Sequence, residues 1–455
     1  MQKTTFVSLY TLRNRIKVFL WPYYDIFRGL TNRSVLLVAK SLSRLPLTTS
    51  LVQKESISPP RFLCRSAKHW MEMYGRKLGA SYISVDPACV APHALPKTPY
   101  PTIRQQLTMD LDYEWPATFV VTIPNGRVWE AGYIITPDGQ LLDDVSCDFR
   151  ARRESLFAKT SSVVRFWKWR NIVDYRGSVA VLSTDGAGIY YHWFFQLLPR
   201  FELLRRAGID LQSIDFFLVN DLSKSFQRDS IKALGIDPAR IIESSKVPYL
   251  RASQLVVPSI PIGGGCYRPW MCQFLRATFL GKDAGGSAGA CRRRLYISRG
   301  QTSYRRVLNE GEVIRFLHEY GFEVVSLDRL SMWQQAASMA SCEAVIAPHG
   351  AGLSNIVFCN HGTKVIEIFS PELVTGIFWR LASQCQLDYY YIIGAGSPET
   401  KEEVYQQSWS PRADITVDLS ILRDALELAG LAQDKSVGMV RSMPIRLRQT
   451  PTTCW

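Results

Sequence analysis

"VIAPHGAGLSN", residues 345–355, decides how this chain is read. An apolar run ends at Pro348. His349 follows, then Gly350-Ala351-Gly352, then residues able to begin a helix. Open α/β sheets bind ligands beyond the carboxyl ends of their strands. Glycines there remove side chains and let backbone N–H groups approach an anion, and a following helix adds unpaired N–H groups and a positive dipole end. The tripeptide therefore predicts a phosphate or diphosphate cradle; a tight turn in close helix–strand packing is the plainer alternative. Asn355 stands where the full dinucleotide fingerprint has its third glycine, and the P-loop lysine pattern is absent. "VLSTDGAGIYYHW", residues 181–193, repeats the design with Gly186-Ala187-Gly188.

Around these two points the chain alternates strand and helix. "SVAVLS" (178–183), "IDFFLVN" (214–220) and "LVVPS" (255–259) read as strands, with "YYHWFFQLLPRFELLRRAG" (190–208) and "SFQRDSIKALG" (225–235) as helices between them. "GKDAGGSAGACRR" (281–293) marks a boundary. Strands are then expected at "RLYISR" (294–299), "FEVVSL" (322–327), "EAVIAP" (343–348), "TKVIEIF" (363–369) and "LDYYYII" (387–393), with helices between, "GLSNIVFCN" (352–360) among them. Strict alternation with short loops means a parallel sheet covered on both faces. Ahead of it, residues 117–147 read as a β meander, with Asn125-Gly126 and Asp138-Gly139 as hairpin signals. The expected organisation is an α/β fold of two Rossmann-like domains facing a cleft. Residues 1–105 form a basic extension and linker, 106–280 an acceptor-side domain with the meander, 281–400 a nucleotide-sugar-binding domain, and 401–455 a helix and tail.

Net charge is +14, concentrated at the start: residues 1–80 hold 14 basic and three acidic residues, while the other 375 are nearly balanced. A basic surface confined to one end argues against a nucleic-acid-binding core. In "NRSVLLVAKSLSRL" (32–45), Arg33, Lys40 and Arg44 share one helical face and Val35, Val38, Leu42 and Leu45 the opposite one. Such a helix can lie on an anionic membrane surface or pack on the domain. No long uncharged apolar run is present for a spanning helix. Ten scattered cysteines without C-x-x-C, and histidines without metal-ligand spacing, argue against structural zinc. A reducing compartment is expected: cytoplasmic, with possible peripheral binding at the inner membrane face through residues 1–50.

"YYHWFFQLLPR" (190–200), "LYISRGQTSYRRVLNEGEV" (295–313), Gln335 and "APHGAGLSNIVFCNHGTKVIEIF" (347–369) occur in that order. Together they resemble glycosyltransferase family 61, in a bacterial-type member, over residues 115–400 and most densely 289–370. The resemblance implies a GT-B-like fold and inverting, metal-independent transfer from a nucleoside-diphosphate sugar to a glycan, lipid-linked or protein hydroxyl, as in polysaccharide biosynthesis. It implies no cofactor beyond the donor substrate. It also implies an acidic residue four positions after His192, where this chain has Gln196. That departure motivates the alternative of a catalytically weak or inactive nucleotide-sugar-binding protein. A nicotinamide oxidoreductase lacks its glycine fingerprint here.

Donor-side roles follow from the negative charge that develops on a leaving diphosphate. The amides of Gly350, Ala351 and Gly352, with Arg299 and Arg306, are expected to hold it; a surface ion pair is the alternative for Arg299. Asn309 is a candidate helix cap. Glu367, ending a strand, is expected on ribose hydroxyls or in a buried ion pair. His349 is expected on the diphosphate or sugar, or as a structural histidine, and Asn355 on the ligand or orienting the loop. On the acceptor side His192 is the candidate general base, with Gln196 on its face. Asp185 and Glu202 are alternative bases. Arg200 is expected on acceptor or diphosphate, or paired with Glu202. Trp193, Phe194 and Phe195 read mainly as core. Asp110 and Asp112 form a D-x-D expected to be incidental, so no metal site is assigned.

Overall fold

The computed structural model describes residues 60, 62–90, 93–108, 114–146, 172–262, 265, 267–281, 293–300, 302–396 and 413–433. The expected basic helix within 32–45, and Asp110 and Asp112, lie outside these residues.

The described strands, in chain order, are β1 (Phe62–Cys64), β2 (Ser81–Asp86), β3 (Cys89–Val90), β4 (Glu114–Trp115), β5 (Thr118–Pro124), β6 (Arg127–Trp129), β7 (Tyr133–Ile135), β8 (Gln140–Leu142), β9 (Val173–Val181), β10 (Phe216–Val219), β11 (Ile241–Glu243), β12 (Tyr249–Pro258), β13 (Arg293–Ile297), β14 (Phe322–Val325), β15 (Cys342–Pro348), β16 (Lys364–Phe369), β17 (Asp388–Ile393), β18 (Ala395–Gly396) and β19 (Ile415–Thr416). They make a mixed α/β fold with two main sheets.

The first sheet runs β1-β8-β7-β6-β12-β9-β10-β11, with β5 beside β12 and β2 beside β5. β12, β9, β10 and β11 pair in parallel, as the alternating pattern requires, and at the far edge β1 also runs parallel to β8. Asn125-Gly126 is not a hairpin turn. β5 and β6 both pair antiparallel with β12 in one continuous register, Pro124 opposite Gln254 and Arg127 opposite Arg251. The N-G pair is a kink in a long strand, with Asn125 at φ 54°. The reversal falls at Glu130–Gly132, both in positive φ, and β6 then pairs with β7. Asp138-Gly139 does close the β7–β8 hairpin. The two N-G and D-G signals look alike locally; the ladder available along the ten-residue β12 separates them.

The second sheet is wholly parallel, ordered β14-β13-β15-β16-β17. Its central strands are apolar and buried on both sides, which parallel sheets demand. Residues 62–104, expected to form a linker, instead supply β1 and β2 to the first sheet and a strap to the second. In the strap, Lys97 pairs in parallel with Tyr390, its N–H donating to the Tyr389 carbonyl and its carbonyl accepting from the Tyr391 N–H, each 3.0 Å. The open edge of β17 is thereby covered there.

One continuous apolar core lies between the sheets. Trp193, Phe194 and Phe195 are fully buried in it. Phe194 meets Phe279 of the helix Pro269–Leu280 and Phe358 of the 3-10 helix Ala351–Phe358. The outer faces carry the helix Ala67–Met73 on the first sheet and helices Glu310–His318 and Leu419–Leu428 on the second.

Candidate functional site

In the second sheet, β14 lies on one side of β13 and β15 on the other, so the chain's direction of winding reverses between β13 and β15. Ligands of open sheets bind in the crevice at such a switch point, beyond the strand ends. β13 leads into Ser298-Arg299 and β15 into His349-Gly350. The sheet order alone brings these residues together.

Gly350 is extended, at φ 169°. Its lack of a side chain serves the neighbour: a Cβ there would overlap the Arg299 guanidinium. Arg299 bonds only at long range, from Nη1 to the His349 carbonyl and from Nη2 to the Tyr304 carbonyl, both 3.4 Å. Its Nε is buried without a hydrogen-bond partner, as is Nε of Arg305. Both guanidiniums lie over the Tyr304 ring, 5.4 and 5.1 Å from its centroid. Burial, with the charge of Arg305 adding to it, lowers the Arg299 pKa. Among the described residues no carboxylate lies within ion-pair distance of either arginine. Arg305 also holds a left-handed backbone, φ 52°, an uncommon state for a bulky residue. Glu310 anchors the corner beneath, accepting from Ser298 Oγ at 2.9 Å and Tyr296 Oη at 3.0 Å. The 3-10 helix from Ala351 leaves its first amides without internal partners. Two juxtaposed cations and open amides are a chemistry suited to an anion.

His349 and Glu367 sit on adjacent strand ends. Glu367 is fully buried, and both its oxygens are engaged: Oε1 with His349 Nδ1 and Oε2 with Tyr389 Oη, each at 2.5 Å. With Glu367 fully buried behind these partners a ribose cannot reach it here, and the buried pairing with His349, the other role expected for Glu367, is the one the geometry has. The carboxylate sets Nδ1 of His349 as the protonated nitrogen. Phe369 and Phe378 flank the ring, and Nε2 bonds to no described group.

The first-sheet junction is built differently. Gly186 is left-handed, φ 91°, and a Cβ there would stand 3.2 Å from His192 Cδ2. His192 and Gln196 are buried, and Thr184 Oγ1 donates to Gln196 Oε1 at 3.5 Å. Residues Trp193–Leu197 form a π turn, with Leu198 N–H bonding to the Trp193 carbonyl at 2.9 Å. Pro199, which has no N–H to donate, follows at once; the wide turn admits it without breaking the helix.

The junctions meet. Tyr190 Oη donates to Asn355 Oδ1 at 2.8 Å, and Asn355 Nδ2 donates to Gln335 Oε1 and the Gly352 carbonyl, both 3.1 Å. Asn355 is thus consumed in docking the two units and does not reach toward ligand. Phe378 touches both Tyr191 and His349. Tyr191 and Tyr267 share a hydrogen bond of 2.8 Å between their hydroxyls.

Three expectations are corrected. Arg306 is exposed and pairs with Asp414 through Nε and Nη2 at 3.0 and 2.7 Å; Arg305 is the arginine beside Arg299. Arg200 is buried and donates to the Pro258 and Ser183 carbonyls, bracing the strand ends under the loop; Glu202 pairs with Arg205 at 3.6 Å. Asn309 does not cap its helix with its side chain but bonds both ways to the Val417 backbone. Sequence reading missed Arg305, Tyr190 and Tyr389. For Tyr389 the two-residue alternation in "DYYY" was the available signal; in "RR" and "YY" nothing local distinguishes the neighbours. Among the described residues no cluster of three or more His, Cys, Asp or Glu is placed to hold a metal, and no helix is long and apolar enough to cross a membrane. Among the described residues no disulfide joins the six cysteines.

Residues 190–366 match the family model described as Glycosyltransferase 61. A curated relative, an EGF domain-specific O-linked N-acetylglucosamine transferase from Drosophila melanogaster, is 35% identical over 80 residues. The match covers 17% of this chain and 15% of that protein. This animal relative lends no support to a bacterial type.

Proposed function

We propose that this chain, which carries a glycosyltransferase 61 domain over residues 190–366, transfers a sugar from a nucleoside-diphosphate sugar to a hydroxyl of a glycan, lipid-linked or protein acceptor, with inversion and without a metal. The observation that carries the reading is the Arg299–Arg305 pair at the switch point, two guanidiniums packed on the same Tyr304 ring without a carboxylate partner among the described residues. The diphosphate lies between them, over the amides of Ala351 and Gly352. As the acceptor hydroxyl attacks the anomeric carbon, the bond from that carbon to the phosphate oxygen breaks and the electron pair leaves on the diphosphate. One preorganised donor to such a leaving group is worth ~3–4 kcal/mol. His349 offers Nε2 to the diphosphate or sugar while Glu367 holds Nδ1. His192 takes the acceptor proton. In this reading the two units pair in GT-B fashion, with the acceptor entering beside Gly186–Gly188.

The alternative, a binding protein without turnover, is favoured by Gln196: the residue at the expected acidic position is an amide, buried and bonded to Thr184. One panel decides between them. Nucleoside diphosphates and nucleotide-sugars, an N-acetylglucosamine donor first, are tested for thermal stabilisation and for sugar release or transfer, with and without chelator. Stabilisation together with chelator-insensitive turnover supports the enzyme; stabilisation without turnover supports the binder. Wild-type nucleotide affinity in folded Arg299→Ala overturns the donor site.

A further inference from the structure

We infer that residues 62–78 form a docking surface for an anionic lipid bilayer. The segment begins with edge strand β1 and continues through the helix Ala67–Met73 into the 3-10 turn Gly75–Leu78. Its inner side is firmly seated. Ala67, Trp70, Met71 and Gly75 are buried, Trp70 Nε1 donates to Asp138 at 3.1 Å, and the Ala67 N–H is held by both oxygens of Asp144 at 2.9 Å. Ala67, Trp70 and Met71 occupy one arc of the helix, so Lys68, His69, Glu72 and Met73 occupy the opposite arc. All four are exposed.

The outer side combines two chemistries. Phe62, Met73, Tyr74 and Leu78 are exposed by 68, 53, 48 and 41%. Arg65, Lys68, Arg76 and Lys77 are exposed among them, and none pairs with a described carboxylate. Glu72 is the acidic residue of the stretch. Protruding apolar groups interleaved with unpaired cations are what an interfacial surface uses: the apolar groups enter the acyl boundary and the cations meet anionic headgroups. A nucleic acid would use the charges and leave the apolar side chains in water. The chain's own residues 1–59 carry nine basic and two acidic residues, the same sign as the surface, which opposes their folding over it. They add a second basic signal immediately upstream.

Hydrogen exchange on the full chain tests this with phosphatidylserine-rich vesicles, phosphatidylcholine vesicles and a DNA duplex. Peptides from 62–78 should gain protection with the anionic vesicles, less at high salt, and with neither other probe. In flotation, R65Q/K68Q/R76Q/K77Q should bind at least about tenfold more weakly. M73S/Y74S/L78S should also bind more weakly, with the salt dependence retained. These side chains are exposed, so melting midpoints should hold; where one does not, wild-type exchange decides. Protection confined to residues 1–59, equal protection by DNA, or wild-type flotation of both variants overturns the surface. None of these measurements needs a sugar donor, so failure here is separate from failure of the transferase reading.

Discussion

The same tripeptide, Gly-Ala-Gly, stands after a strand at 186–188 and at 350–352, and the two copies need their glycines for different reasons. At 186 the backbone itself demands glycine, being left-handed and close against the His192 ring. At 350 the backbone is extended, a state open to any residue, and the glycine exists to admit Arg299. The second glycine of each copy is spatially relaxed: nothing lies within 4 Å of a Cβ at 188, and a Cβ at 352 would make ordinary contacts of 3.5 Å with Ile297 and Leu327. One junction seats a buried imidazole and the other an arginine cluster. In the proposed reading, identical sequence signals serve proton transfer on one side and charge stabilisation on the other.

The largest expected effect separates the two histidines. His192→Gln should lower kcat by ~10²–10⁴ and leave nucleoside-diphosphate affinity unchanged, whereas His349→Gln and Glu367→Gln should weaken nucleotide binding as well. Calorimetric titration alongside turnover, normalised to folded protein, reads the split; matching profiles for His192→Gln and His349→Gln would collapse the division of labour.

Gly350→Val should displace the Arg299 guanidinium. A loss of about 10²–10³ in kcat is expected, as for removal of one charge-stabilising donor. Full activity in that variant would mean Arg299 has no part in the donor site. The contact joining the junctions is next. Tyr190→Phe leaves the buried Asn355 oxygen without its donor, costing about 1–3 kcal/mol of stability in chemical denaturation. An unchanged midpoint would show that the units dock without this bond.

The smallest effects test the glycines pairwise. Gly186→Ala forces a side chain into positive φ, at about 1–3 kcal/mol. Gly352→Ala should stay within about 0.5 kcal/mol, since its Cβ finds only ordinary contacts. Equal melting points for the two would remove the distinction drawn between the copies.

The second sheet was legible because each of its strands is a short apolar run flanked by helical periodicity, and that pattern reports burial directly. The first sheet was legible only in its parallel part. Asn125-Gly126 reads as a turn in any window of ten residues, yet β12, far along the chain, offers both β5 and β6 a partner and pulls them straight. Residues 62–104 read as linker for the same reason: β1, β2 and the Lys97 strap take their order from sheet edges formed elsewhere.

By itself the sequence determined where strands meet glycines, which placed His349 and Gly350 at a strand end and His192 at the start of the helix after the other glycine junction, since periodicity and loop chemistry are local properties. Only the tertiary structure decided which of two neighbouring arginines faces the site, that Glu367 serves a histidine, and that Asn355 serves Tyr190. Those choices depend on which strand lies beside which. Sheet order is set by burying a shared core, and no residue carries that information alone.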